Sequence, residues 1–153
     1  MTYAAIPHLW RILENIFVER RYYTYKNCLT FERDKIILPN GMRLMYPNLR
    51  IEQGQLTYNT MRGQETTWGG RLTENAVQAL SRIIITDAMD KIKQELPEYR
   101  IALTVHDEVV IVGPNTNPEE TMEHIIECMV VAPDWCREIP LDAEGGYDLS
   151  YSK

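Results

Sequence analysis

The sequence is poor in several features, and each shortage excludes a class of protein. Only three cysteines, Cys28, Cys128 and Cys136, occur among the 153 residues. They are odd in number and lack C-x-x-C spacing, which argues against a disulfide framework and a zinc ribbon. No apolar run approaches the roughly 18 residues that cross a bilayer, and residues 1–30 lack the continuous apolar core of a secretory signal. We therefore expect a cytoplasmic protein without a membrane segment.

Basic residues are scarce in the last third of the chain. Residues 1–50 carry 8 Lys/Arg against 4 Asp/Glu, whereas residues 101–153 carry 2 against 11. The basic N-terminal third, with aromatic side chains among its basic residues as in residues 20–26, could contact phosphates. The acidic C-terminal third would repel phosphates unless cations neutralise its charge. A solvated, charged helix face would explain the same pattern, so both interpretations stay open.

Composition and periodicity predict an ordinary globular protein with three helices. The chain is 44% hydrophobic and 25% charged, which excludes disordered, collagen-like and coiled-coil proteins. Apolar residues recur at three- and four-residue steps between residues 6 and 25 and between residues 73 and 95, which predicts two amphipathic helices. Thr73 is the expected N-cap of the second helix, with an apolar stripe formed by Val77, Leu80, Ile84, Ala88 and Ile92. A third helix is predicted over residues 118–131.

The remaining segments predict strands. Four short β-rich runs separated by turn residues predict an antiparallel meander between residues 30 and 68. Two apolar runs, residues 100–105 and 109–112, predict a buried hairpin, and residues 139–143 predict a last extended segment. The predicted fold class is α+β, with helices packed on an antiparallel sheet.

The segment His106-Asp107-Glu108 is the chemical anomaly of the sequence, since it joins two apolar runs. Adjacent carboxylates at the tip of a buried hairpin repel each other and are costly to desolvate. A divalent cation would remove that cost, and Mg²⁺ is a hard ion that takes carboxylate oxygens, water and substrate phosphates. A solvated acidic turn beside a surface histidine is the alternative that these residues leave open.

Four segments, in the same order along the chain, resemble the family A (polymerase I-like) DNA polymerases, and bacteriophage members in particular. Residues 105–110 (V-H-D-E-V-V) resemble motif C of the palm, and residues 68–79 (W-G-G-R-L-T-E-N-A-V-Q-A) resemble a phage helix start. Residues 38–44 resemble a palm strand, and residues 140–145 together with 151–153 resemble the C-terminal ending. The resemblance implies a helical segment following the fingers at residues 1–30 and the C-terminal part of a palm domain at residues 31–153.

The resemblance also implies roles for six residues. Asp107 would be the catalytic metal ligand, Glu108 its auxiliary carboxylate, and His106 would lie against the primer terminus. Arg71, Asn75 and Gln78 would face the primer-template duplex, where arginine can neutralise phosphate and the amides can donate to minor-groove acceptors. The implied reaction is template-directed nucleotidyl transfer from a deoxynucleoside triphosphate with two Mg²⁺ ions, for which Mn²⁺ could substitute.

Two parts of the family pattern have no counterpart in the sequence. These are the first catalytic aspartate, on a D-Y-S-x-I-E strand, and the fingers helix that binds the nucleotide. We therefore expect a chain that is inactive alone and is completed by an upstream polymerase fragment, with a homo-oligomer as a further possibility. The expected setting is the cytoplasm of a bacterial host, with a phage or prophage as the source. The alternatives are a non-catalytic remnant that binds DNA and a metal-dependent nuclease.

Other candidate groups have weaker support. His124 and Cys128 stand four residues apart on a predicted helix and could hold a transition metal, but without a third ligand an ordinary helix face explains them better. Asp134, Asp142 and Asp148 could supply a further carboxylate. The sequence has neither a G-x-S-x-G elbow nor a phosphate-binding P-loop, which argues against acyl transfer and nucleotide hydrolysis.

Overall fold

A computed structural model describes residues 5–151 and confirms the α+β fold class with antiparallel sheets. Its helices are α1 (Ala5–Glu19), α2 (Gly69–Glu95) and α3 (Pro118–Met129), and a short 3₁₀ turn covers Asp134–Cys136. The strands are β1 (Tyr23–Tyr25), β2 (Leu29–Glu32), β3 (Lys35–Ile37), β4 (Arg43–Met45), β5 (Arg50–Glu52), β6 (Gln55–Thr60), β7 (Gly63–Thr67), β8 (Arg100–Val105) and β9 (Glu108–Val112). Every strand pair is antiparallel.

The chain forms two compact units, Met1–Leu80 and Ser81–Lys153, which divide within α2. The first unit contains a four-stranded sheet in the order β1-β2-β3-β4 and a three-stranded sheet in the order β5-β6-β7. The second unit contains the β8-β9 hairpin and α3. The strands thus form three small sheets instead of the single sheet expected from the sequence.

The core of the first unit lies between α1 and the four-stranded sheet. Phe31 and Ile36 pair across β2 and β3, and both side chains are fully buried. The Phe17 ring of α1 packs edge-on against Phe31, with ring centroids 6.0 Å apart. This arrangement of aromatic rings is favourable beyond the apolar area that it buries.

The first helix is shorter than its periodicity predicts. It ends at Glu19, Arg20 has a φ of +53°, and Tyr23–Tyr25 pair with β2 as an edge strand. The prediction of helix up to Tyr25 was therefore wrong, because the Tyr-Thr-Tyr segment has high strand propensity and finds a strand partner. The strands at Leu29–Glu32 and Gly63–Thr67 were not predicted. The second of these, β7, has the polar sequence G-Q-E-T-T, and four of its five residues are exposed.

Close packing in the first unit determines where α2 begins. The helix begins at Gly69, and Thr73 lies inside it and donates its hydroxyl proton to the Gly69 carbonyl at 2.8 Å. The prediction of Thr73 as N-cap was therefore wrong. A Cβ atom on Gly69 would lie 2.2 Å from the Trp10 carbonyl oxygen, and the Gly69 amide donates to the Glu14 carboxylate at 2.8 Å. That carboxylate satisfies one of the free amides at the helix start.

The apolar stripe of α2 is rotated from its predicted position. Val77 is 55% exposed, whereas Ile83, outside the predicted stripe, is 1% exposed. Ala88 and Ile92 are buried as predicted. Helix α3 begins at Pro118 as predicted and ends at Met129, two residues early. Residues 139–143 form no strand, so the prediction of a last extended segment was wrong.

Candidate functional site

The predicted metal site lies where a two-residue turn joins β8 to β9 in the second unit. Val105 of β8 pairs with Glu108 of β9, so only His106 and Asp107 form the turn. His106 has a φ of +54°, in the left-handed region that two-residue hairpins require and that histidine enters more readily than most residues. The hairpin was predicted correctly, but Glu108 belongs to a strand and not to the turn.

The hairpin is more exposed than its apolar sequence suggests. No residue of β8 or β9 is buried, His106 and Asp107 are exposed, and Glu108 is half-buried. The expected desolvation of two carboxylates at a buried tip was therefore wrong, since water reaches Asp107 freely. An exposed carboxylate beside a second, half-buried one can still bind a hydrated divalent cation.

The chain's last described residue contacts this site. The phenol of Tyr151 hydrogen bonds the Glu108 carboxylate, and desolvation together with this bond raises the pKa of Tyr151. The phenol therefore stays protonated and can donate to the carboxylate. The predicted C-terminal resemblance includes Tyr151, while residues 152–153 lie outside the described part of the chain.

The three residues predicted to face DNA lie on one face of α2 in the first unit. Arg71, Asn75 and Gln78 are spaced by four and three residues, which places them on neighbouring turns. Arg71 is exposed and donates to the Thr66 carbonyl at 3.4 Å, and exposed Gln78 donates to the Glu74 carboxylate at 3.4 Å. These bonds are long and accessible to water, so both side chains can exchange them for other acceptors.

Asn75 differs from Arg71 and Gln78 because its hydrogen bond is shorter and partly buried. It is half-buried, and its side-chain amide donates to the Tyr46 hydroxyl at 3.0 Å. Tyr46 is itself buried, and burial raises the pKa of its phenol. The hydrogen bond fixes the orientation of Asn75, a structural role that the sequence did not indicate.

Arg82 extends the same helical spacing into the second unit. Its guanidinium donates to the Thr104 hydroxyl of β8 at 3.4 and 3.5 Å, which links α2 to the hairpin strand.

The three further carboxylates that the sequence offered form local hydrogen bonds. Asp134 accepts from Arg137 at 2.9 Å, and Asp142 and Asp148 accept from the amides of the residues that follow them.

A third ligand-type residue joins the pair His124 and Cys128. Glu95, the last residue of α2, has its carboxylate 2.6 Å from the His124 imidazole and 3.6 Å from the Cys128 sulfur. Within the described residues these three form the one group of histidine, cysteine and acidic side chains close enough to share a metal ion. The sequence did not reveal the group, because Glu95 lies 29 residues before His124.

The comparisons with known proteins give one relative. The chain is 29% identical over 150 residues to the DNA polymerase of Bacillus phage SP02. The match covers 88% of this chain and 22% of that polymerase, so the chain spans about a fifth of the relative's length. No protein-family model and no solved structure matches the chain. Among residues 5–151, no helix is both long and apolar enough to cross a membrane. This chain is thus similar to part of a phage DNA polymerase.

Proposed function

We propose that the chain is the C-terminal palm portion of a phage-type, family A DNA-directed DNA polymerase. The observation that carries the proposal is its similarity to the SP02 DNA polymerase over nearly the whole chain. The exposed turn formed by His106 and Asp107, with Glu108 at the start of β9, supports it, because a palm metal site needs carboxylates that water, nucleotide and DNA can reach. The proposed reaction is nucleotidyl transfer from a deoxynucleoside triphosphate to the 3′ hydroxyl of a primer.

The proposed roles of the hairpin residues come from the family resemblance, and their chemistry fits these roles. Asp107 and Glu108 offer hard oxygen donors, which fit Mg²⁺ or Mn²⁺ and leave room for water and phosphate in the coordination shell. Two such ions would supply Lewis-acid activation of the primer hydroxyl and neutralise the phosphate charge that develops. The Tyr151 phenol, bonded to Glu108, holds that carboxylate in place. His106, exposed beside Asp107, is proposed to contact the primer terminus.

The exposed face of α2 is proposed to bind the primer-template duplex. Arg71 can exchange its long bond to Thr66 for a phosphate, and Gln78 can donate to a minor-groove acceptor present in every base pair. Asn75 can do so only by giving up or sharing its bond to Tyr46. These contacts sense duplex geometry and do not distinguish base sequences.

A complete active site needs further elements of the polymerase. The second catalytic aspartate and the nucleotide-binding fingers are proposed to come from a polypeptide segment outside this chain, because the two-metal reaction uses carboxylates from separate strands. The proposed setting is the bacterial cytoplasm, with a phage or prophage as the source and self-association as a second assembly.

A chimera tests the proposal. The segment of the SP02 polymerase that matches this chain is replaced by residues 1–153, and primer extension is measured with Mg²⁺ and with Mn²⁺. We expect extension by the chimera and a loss of at least about 1,000-fold in Asp107→Asn, since one carboxylate ligand of the reacting metal is removed. Asp90→Asn, which removes an equal charge from an exposed position of α2, is the matched control and should extend normally.

Three outcomes would contradict the assignment. A folded chimera without any extension would favour the non-catalytic remnant. Extension that survives Asp107→Asn would remove this residue from the reaction. Metal-dependent cleavage of DNA by the chain alone, abolished by Asp107→Asn, would favour the nuclease.

DNA binding by the chain alone tests the α2 face separately. We expect weak binding that is independent of base sequence and falls steeply with salt. Arg71→Ala should reduce the slope of log affinity against log salt by about 0.9, the effect of one lost phosphate contact. Lys93→Ala, in the last turn of the same helix, is the control for charge alone. An unchanged slope in Arg71→Ala would exclude this arginine from the interface.

A further inference from the structure

Glu95, His124 and Cys128 bring three different donor atoms to one point in the second unit. His124 and Cys128 lie on neighbouring turns of α3, so both side chains point to the same side of that helix. Glu95 approaches them from the end of α2. The ligand atoms all lie within 4.8 Å of one another, and one carboxylate oxygen of Glu95, Oε2, contacts both partners.

The spacing of these atoms is close to that of a tetrahedral zinc shell. Bond lengths of roughly 2.0 to 2.3 Å place neighbouring ligands about 3.3 Å apart for nitrogen and oxygen, and about 3.5 Å apart for sulfur and oxygen. The observed distance from Cys128 Sγ to Glu95 Oε2 is 3.6 Å, and that from His124 Nε2 to Glu95 Oε2 is 2.6 Å. Of these two pairs, the second has to separate, and both of its side chains are 40% exposed.

Burial gives the cluster a closed side and an open side. Cys128 is 1% exposed, whereas His124 and Glu95 reach the solvent. Three protein ligands with one open position form the shell in which zinc keeps a water molecule. The other carboxylate oxygen of Glu95, Oε1, lies 3.8 Å from the Lys91 ammonium. Lys91 can therefore orient the carboxylate while Oε2 binds a metal, as partners outside the coordination shell commonly do.

We propose that Glu95, His124 and Cys128 form a binding site for a borderline-soft divalent metal, Zn²⁺ in the first place. A thiolate, a carboxylate and a neutral imidazole carry two negative charges, which one divalent ion neutralises. On binding, the metal–sulfur bond replaces the Cys128 S–H bond and the proton passes to solvent. The bound ion crosslinks the C-terminal end of α2 to α3 through its ligands. Thiolate and imidazole donors distinguish this site from the all-oxygen site on the hairpin.

Cobalt titration of the complete, untagged chain tests the site. Co²⁺ substitutes for Zn²⁺, and a Cys128 ligand gives a thiolate-to-cobalt charge-transfer band. We expect the band to saturate at one Co²⁺ per chain, to disappear when Zn²⁺ displaces the cobalt, and to persist with equimolar Mg²⁺. Loss of a direct ligand in Cys128→Ser or His124→Ala should weaken binding more than the 10- to 100-fold typical of residues outside the coordination shell. Cys136→Ser, at the other buried cysteine of this unit, should keep the band.

Further variants keep the result interpretable. Circular dichroism establishes that each variant is folded, and Glu95→Gln preserves the shape of the third ligand if a larger change disrupts folding. Asp107→Asn should leave the cobalt spectrum unchanged, so a failure of the polymerase proposal would not affect this one. A folded chain that gives no charge-transfer band, or a band that survives Cys128→Ser, would overturn the proposal and leave a hydrogen-bonded group without metal.

Discussion

The two units of the chain are built in different ways. The first carries 10 Lys/Arg against 7 Asp/Glu, and the second carries 6 against 15. Twelve of the buried hydrophobic residues among residues 5–151 lie in the first unit and five in the second. The first also contains the edge-to-face ring pairs that join Phe17, Phe31, Tyr46 and Tyr58.

This contrast is one of core size and net charge. Apolar burial is the largest favourable term in folding, so the first unit has the stronger core of its own. The second unit exposes apolar strand residues and repels itself through excess negative charge. Cations bound at the two proposed sites, the hairpin and the Glu95 cluster, would reduce that repulsion.

The largest expected difference comes from truncating apolar side chains. Phe31→Ala should lower the free energy of unfolding by about 3–5 kcal/mol, because Phe31 is fully buried and contacts two other rings. Leu103→Ala on β8 should cost less than about 1 kcal/mol, because Leu103 is exposed. Chemical denaturation followed by fluorescence and circular dichroism measures both. Equal losses would mean that the hairpin is covered in solution and would remove the contrast.

The second prediction concerns the glycine against which α1 packs. Gly69→Ala should cost about 1–3 kcal/mol, because its Cβ would overlap the Trp10 backbone and force α1 away from the start of α2. Gly146→Ala is the matched control, since no atom lies within 4 Å of the Cβ position there. Thermal unfolding of both variants compares them. A stable Gly69→Ala protein would mean that the close approach of α1 is not needed.

Gly69 also illustrates how far the sequence predicts the fold. Local patterns predicted the helices and the β8-β9 hairpin, because apolar periodicity and turn residues act over a few positions. They failed at the start of α2, where contacts with Trp10 and Glu14, more than 50 residues earlier, outweigh the poor helix propensity of glycine. They also failed at β7, whose exposed polar residues leave no apolar signal.

The candidate sites show the same limit. Asp107 and Glu108 are adjacent in sequence, so their proximity on the hairpin was predictable. Glu95 could not be assigned to His124 and Cys128 because only tertiary packing brings α2 and α3 together. The bond from Asn75 to Tyr46 also spans 29 residues and was not predictable from helix spacing. The metal and DNA roles of the predicted residues stay predictions until the chimera and binding experiments are done.

The third prediction uses alkaline pH to probe the core of the first unit. Burial raises the pKa of Tyr46, so the unfolded chain loses this proton near pH 10 while the folded chain keeps it. The unfolded state then binds fewer protons, and stability falls as pH rises above 10, by at most about 1.4 kcal/mol per pH unit for this group. Tyr46→Phe should flatten the fall, measured by denaturation between pH 9 and about 11. Tyr22→Phe, at an exposed site, controls for the loss of one phenol.

The smallest expected effect compares two turns, one in each unit. Gln53 and His106 both have positive φ, at +51° and +54°, and both occupy the first position of a two-residue hairpin turn. Asparagine tolerates this conformation well, so Gln53→Asn and His106→Asn should each raise the free energy of unfolding by about 0.5 kcal/mol.

Only His106 is proposed to contact the primer terminus. We therefore expect His106→Asn to lower primer extension by the chimera and Gln53→Asn to leave it unchanged. If both variants gain stability and both extend primers normally, the histidine serves the turn alone. If His106→Asn raises the free energy of unfolding but slows primer extension, the histidine serves catalysis at this turn although it lowers stability.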